Sequence, residues 1–373
     1  MATSSVANIL NYGAAGDGVT DDSLAFLKAW NATCNSVTDY STLLVPSGHT
    51  FLVQPLTFNG PCKSPNLYFQ VDGGIVAPQG PNEWKANENL MSFVEVDGLS
   101  LNGTATIDGR GKPWWDASCR DHPQLQGCFG RMPTMVMFLH CTRVRMQHLF
   151  LVNSPQAHIL VWNSDSVEFH FLSINSPADS PNTDGIHIQA STNVSILQSV
   201  IKAGLHFNLF SLHNKSCDII HSIGSLGKDG SVANVTNIKV HHVKFFGTSN
   251  GARIKTYQVG KGIVQHVEFR NLTFYDVQNP IIIDQHYCFD PKGCQDLPTA
   301  VHIDDVSYAG AVGTSASEVA MNLNCSKTVP CTNISFKEIQ LKPSKSLKSV
   351  ESSCNNAHGS TTGNVKPASC LHG

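Results

Sequence analysis

Along most of this chain every second residue is apolar for a short stretch, and then a polar, Gly- or Asn-rich turn intervenes. Representative stretches open at Val144 (VRMQHLFL), Val167 (VEFHFLSI), Val194 (VSILQSVI), Ile238 (IKVHHVKF), Val264 (VQHVEFRNLTF), Val301 (VHIDDVSY) and Ile334 (ISFKEIQL). Alternation of period two marks half-buried strands. The starts lie 23, 27, 44, 26, 37 and 33 residues apart, and 44 reads as two coils of 22. Repeats of this size, built from strands with almost no helix between them, are the signature of a solenoid in which each coil buries its inward residues on the next. The expected fold is therefore all-β: a single right-handed parallel β-helix spanning residues 1–373. A β-propeller would need four strands per repeat and a longer period.

One helical pattern precedes the strands. Thr20 is placed to cap it, Asp21 and Asp22 lie in its first turn, and Leu24, Phe26, Leu27 and Trp30 form an apolar stripe. A helix over about 22–33 would cover the open first coil, whose apolar interior and strand edges need protection. Gly16-Asp17-Gly18 just before it reads as a tight turn. At the other end, a Ser/Asn/Gly-rich tail over 344–373, stapled by Cys354 and Cys370, is expected to cover the last coil.

Composition narrows the class. Charged residues make up 14% and the net charge is -3, with 29 Gly and 18 Pro, which excludes both a disordered acidic tail and a basic nucleic-acid binder. No apolar run is long enough to span a bilayer. Twelve cysteines include local pairs, Cys119/Cys128, Cys288/Cys294, Cys325/Cys331 and Cys354/Cys370, without a CxxC…CxxC framework, so disulfides in an oxidising compartment are expected rather than metal. Eight Asn-x-Ser/Thr sequons, at Asn31, Asn102, Asn193, Asn214, Asn234, Asn271, Asn324 and Asn333, point to secretion as well. Met1–Leu10 lacks the basic and apolar regions of a signal peptide, so the secretion reading supposes a leader absent from this sequence. The 17 histidines, including His187 and the pair His241-His242, form no H-E-x-x-H or three-His pattern, and no metal or cofactor is expected. Trp114-Trp115 reads as core, and no G-x-S-x-G nucleophile motif occurs.

Six stretches carry a family likeness: NYGAAGDGVTDDSLAFLKAW at the start, IDGRGKPWW at 107–115, SPNTDGIHI at 180–188, SIGSLGKDGS at 222–231, RIKTYQ at 253–258 and IIIDQHYC at 281–288. With them the chain resembles the plant polygalacturonases of glycoside hydrolase family 28. The resemblance implies a parallel β-helix of the pectin lyase type and hydrolysis of α-1,4-linked galacturonan in pectin with inversion, by a secreted monomer of the cell wall. Inversion needs one carboxylic acid for the leaving oxygen and a carboxylate to activate water from the other side. The family supplies three aspartates, one in Asn-Thr-Asp-Gly and two in Gly-Asp-Asp-Cys a coil later. Asp184 matches the first, and Asn182 of the same turn joins the expected substrate-binding set.

At the second motif this chain reads Gly204-Leu205-His206-Phe207. The family's Gly-His-Gly is missing too; Asp218-Ile219-Ile220-His221 stands in its place. Asp-Cys-Ile-Ser-Ile can be encoded GAC TGC ATT TCA ATC, and the same bases read from the third give Leu-His-Phe-Asn, which is Leu205–Asn208. A shifted reading frame over 205–221, restored at Ser222, accounts for the departure. The binding side is kept: Arg253 and Lys255, two apart on a strand, share a face and match the family's Arg-Ile-Lys, where each would meet a sugar carboxylate. Tyr287 falls where the family places a tyrosine bordering a sugar, and Asp284 reads as an inward structural residue. Two functions stay open: a galacturonan hydrolase, and a pectin-binding wall protein that has lost the acid. A copy too altered to fold is a third reading.

Overall fold

The computed structural model describes residues 2–373 apart from 87, 120, 121, 123, 131, 178, 179, 181, 182, 204–220, 289–295 and 346, and for 221 and 222 it describes the backbone alone. Asn182, Leu205, His206 and Cys217 thus lie outside the described residues. The chain forms two compact units, Met1–Ser176 and Pro177–Gly373.

In the first unit, strands Tyr40–Val45, Leu67–Val71, Leu99–Gly103, Thr142–Gln147 and Asp165–His170 pair in parallel in chain order. A second ladder runs Leu56–Asn59, Met91–Val94, Val136–Leu139 and Ile159–Trp162. Since partners sit in register, like residues stack. Phe58 and Phe93 lie 4.9 Å apart, and Phe93 and Phe138 5.5 Å apart, both stacked. The helix spans Ser23–Asn35 and turns Phe26 onto Phe51 and Phe69, and Trp30 onto Phe58, Phe69 and Phe93. It covers the end of this aromatic column, as its pattern predicts.

Two details of that helix differ from expectation. Thr20 belongs to the strand Asp17–Asp21, and Asp22 is the cap residue, its carboxylate turned back to accept the Ala15 and Gly16 N–H groups. Leu24 and Leu27 are exposed, and the buried face is Ala25, Phe26, Ala29, Trp30, Thr33 and Cys34. Trp114 and Trp115 are buried, in a short helix Lys112–Asp116 rather than a strand, with Trp114 edge-on to Trp84.

In the second unit, strands Thr192–Leu197, Val232–His241, Lys261–Arg270, His302–Ala309, Cys331–Pro343 and Ala357–Lys366 pair in parallel. The register runs Val194, Ile238, Val267, Val306, Ile334. The alternation at Val264 is therefore out of step, since Val264 pairs with Val235 and Ile303. The cause is a left-handed residue inside each long strand, at Asn237, His266, Asp305 and Asn333, which swaps the faces on either side. Val194 pairs directly with Ile238, and Ile186 with His221. The flanking strands are thus ladder neighbours, and residues 204–220, on which the expectation of two coils of 22 falls, lie outside the described residues. The tail also differs: Glu351–Asn355 and Ala357–Lys366 are ladder strands forming the last coil.

Disulfides join Cys119–Cys128, Cys325–Cys331 and Cys354–Cys370 as the spacing suggests. Cys288 is also disulfide-bonded, while Cys294 lies outside the described residues. Cys34–Cys62, 28 residues apart, was not legible as a local pair; it ties the helix end to the loop after Leu56–Asn59.

Candidate active site

The second ladder of the second unit carries the candidate residues. Its strands are Ile186–Gln189, His221–Leu226, Asn250–Thr256, Asn279–Asp284, Val319–Asn324 and Glu351–Asn355, each parallel to the next. Ile188, Ile223, Ile254, Ile283 and Leu323 form one register column and are all buried. Because side chains alternate, the residues beside them point the other way. His187 and Arg253 fall in one outward column with position 222 between them, about 10 Å apart at two strand spacings. Lys255 and Asp284 are partners in the neighbouring column.

Outward direction does not mean exposure here. Arg253 and Lys255 are 4% and 2% exposed. Tyr287 follows the Asn279–Asp284 strand, donates its backbone N–H to Thr256, and lays its ring against both cations, 5.6 Å from Arg253 Cζ and 4.8 Å from Lys255 Nζ. Tyr257 meets that ring edge-on at 5.1 Å. Cation–π contacts of this kind strengthen when water is excluded. Asp284 Oδ2 stands 3.7 Å from Arg253 Nη2, while its Oδ1 accepts the His286 N–H. A buried cation without such partners would cost several kcal/mol. Asp284 is thus on the outward face beside Lys255, not inward as its strand position suggested.

Asp184 precedes the first strand of the ladder, is 3% exposed, and pairs its carboxylate with the His187 imidazole three residues on. Sequence reasoning treated His187 as bland; the i,i+3 spacing from Asp184 was the available signal. Behind the ladder, Gln258 and Gln285, from the RIKTYQ and IIIDQHYC stretches, hold successive coils together. Gln258 donates to the Gln285 carbonyl and accepts from Leu297 N–H, and Gln285 donates to the Val301 carbonyl and accepts from Ser326 N–H. His286 bonds Asp296 at 2.8 Å and, through that hydrogen bond, holds the Asp296 carboxyl below its usual range. The site thus unites Arg253, Lys255 and Tyr287, with Asp284 added, and places Asp184 with His187 on the same ladder. Among the described residues no cluster of three or more His, Cys, Asp or Glu is arranged to hold a metal.

Stacked parallel coils define the architecture as a right-handed parallel β-helix. The endo-xylogalacturonan hydrolase of Aspergillus tubingensis shares it, with a TM-score of 0.72 at 24% identity, covering 96% of this chain and 100% of that one. The model for "Glycosyl hydrolases family 28" matches residues 34–370. A probable polygalacturonase of Arabidopsis thaliana is 38% identical over 97% of this chain and 83% of its own length. A polygalacturonase of Cryptomeria japonica is 39% identical over 97% of this chain and 71% of its own. The chain belongs to glycosyl hydrolases family 28, and is by family a glycosidase.

Proposed function

We propose that this chain is a galacturonan-binding member of the polygalacturonase group whose hydrolytic step is crippled. The observation that carries the reading is the buried Arg253–Lys255–Tyr287 cluster on one outward face. Each cation would meet one sugar carboxylate, and Tyr287 would border the ring; Asn182 belongs to the same proposed set. In a low-dielectric site these contacts are stronger than at an open surface. Similarity to polygalacturonases over nearly the whole chain supports galacturonan as the polymer.

For hydrolysis with inversion, Asp184 is the proposed carboxylate, held by His187. A second acid is required on the far side of the scissile bond, with the two carboxyl groups roughly 6.5–9.5 Å apart. The positions where the family carries it read Leu205 and His206. Loss of one acid or base group lowers rates by about 10²–10⁴-fold. The second reading, a wall protein that binds pectin without cleaving it, is favoured by the same two positions. The disulfides support an extracellular, wall-facing location and a monomeric working state is part of the proposal.

Retention on immobilised polygalacturonate tests the binding claim. Arg253→Ala and Lys255→Ala are each expected to weaken retention roughly tenfold or more, given charge-assisted hydrogen bonds of about 1.5–3 kcal/mol. Wild-type retention by both variants, with melting curves showing them folded, would overturn it.

A further inference from the structure

The cationic cluster keeps its shape only while the Tyr287 ring stays over it, and that ring is carried just beyond the end of the strand Asn279–Asp284. The residue before it, His286, is anchored at its backbone and at its ring. Its N–H donates to Asp284 Oδ1 at 3.0 Å, its Nε2 lies 2.8 Å from Asp296 Oδ1, and its Nδ1 lies 3.4 Å from the Asn324 carbonyl oxygen on the next strand of the ladder. An ionised carboxylate only accepts, so Nε2 is the donor in the short bond. Holding the imidazole and the N–H of His286 restricts the backbone rotations that would swing the adjacent Tyr287 off the cations.

Asp296 is itself a fixed point. Leu297, the residue after it, donates its N–H to Gln258 Oε1 at 3.1 Å and accepts the Thr328 hydroxyl on its carbonyl, while the Thr299 hydroxyl donates to the Gln258 carbonyl at 3.2 Å. Gln258 follows the strand Asn250–Thr256, which carries Arg253 and Lys255. The His286 bond foremost, and the Lys327 N–H with it, hold the Asp296 carboxyl below its usual range, so it stays an acceptor. The bonds therefore form a circuit: from the strand of the cations through Gln258 and Leu297 to Asp296, and back through His286 to the ring that covers the cations. The Asp296 side chain is 43% exposed. An ion pair so open to water adds little to global stability, and its effect is local.

We propose that His286, held by Asp296, is a positioning residue for polymer binding: it fixes Tyr287 over Arg253 and Lys255, so that the cluster meets a sugar carboxylate already formed. This rests on the reading under Proposed function that the cluster takes galacturonate. The gain is preorganisation, since a ring already in place has no freedom left to lose when the sugar arrives.

Two measurements on the full chain test it. Hydroxyl-radical labelling of the unliganded protein, mapped by mass spectrometry, reads the cover of Tyr287, which is 7% exposed. Calorimetric titration with a short oligogalacturonate reads binding. His286→Ala and Asp296→Ala are each expected to raise Tyr287 labelling several-fold and to weaken binding about tenfold at an unchanged melting temperature. The double variant is expected to lose no more than either single one, because both act through one bond. His286→Gln, whose side-chain amide donates in place of Nε2, is expected to return both readouts to within about threefold of wild type. Wild-type labelling of Tyr287 in His286→Ala overturns the proposal. So does raised labelling with unchanged binding while Arg253→Ala binds weakly, because the cluster then works without a fixed ring. Additive losses in the double variant with a lowered melting temperature overturn it as well, and mark a merely structural pair. If Arg253→Ala binds as wild type while labelling responds as expected, the function proposed for the cluster fails and the fixing of Tyr287 by His286 stands.

Discussion

Asp17 is a solvent-exposed carboxylate that organises the irregular start of the strand Asp17–Asp21. Its oxygens accept the Val19 and Thr20 N–H groups and the Thr20 hydroxyl, and these bonds, the Thr20 backbone bond foremost, lower its pKa to about 2. A carboxylate depressed in the folded state stabilises above its unfolded value, about 3.9, and that contribution disappears as pH falls towards about 2. Acid titration followed by circular dichroism should therefore show wild type losing stability across this window. Asp17→Asn should start less stable at neutral pH and change less between the two values; parallel curves would contradict the assignment. Gly16-Asp17-Gly18, read as a tight turn, instead leads into the strand Asp17–Asp21, whose register with the next strand shifts between Asp17 and Asp21. The direction of Asp284 was not legible either, because whether a residue near a strand end faces in or out depends on register, which the motif alone does not supply. Asn182 lies outside the described residues, whereas Arg253 and Lys255 share a face as their two-residue spacing requires.

Among the elements, the aromatic column of the first unit is the most exacting. Phe93 lies between Phe58 and Phe138 and meets Phe69 and Trp30 edge-on, with no exposure. Phe93→Ala is expected to cost about 3–5 kcal/mol in denaturant unfolding, because neighbours held by their own ladders cannot collapse into the void. A cost below about 1 kcal/mol would mean that the column repacks. A glycine makes the opposite test. Gly227 has φ +77° and a Cβ there would lie 2.3 Å from the Gly260 Cα of the next coil. Gly227→Ala must strain its backbone and push the coils apart, so a lowered melting temperature is expected, and an unchanged one would refute the close approach. Strand existence and direction were readable from alternation. Register was not: left-handed residues such as Asn237 and His266 divide each long strand, and a pattern counted across them slips out of phase. Asn237 Nδ2 reaching Asn193 Oδ1, and His266 paired with Asp305, show how polar side chains at these corners stack from coil to coil. Asn, Asp and His are the residues that tolerate this backbone best.

At the scale of the molecule, the question of hydrolysis turns on the stretch between Val200–Lys202 and His221–Leu226, most of which, 204–220, lies outside the described residues. The described strands on either side pair Ile186 with His221, and in the sequence positions 205 and 206 are Leu and His. The family was legible from six motifs spread along the chain, and the cationic cluster from one of them. The missing Gly-Asp-Asp-Cys was legible as well, and the proposed catalytic deficit rests on it. A shifted frame predicts that a transcript reading Gly-Asp-Asp-Cys exists; the protein as written is predicted to bind its polymer and scarcely cleave it. The most direct measurement is release of reducing ends from polygalacturonate by this chain, beside the Arabidopsis relative at equal concentration. Loss of an acid/base group predicts a rate at least about 10²-fold below the relative, with retention on the polymer preserved. A rate equal to the relative's would contradict the account.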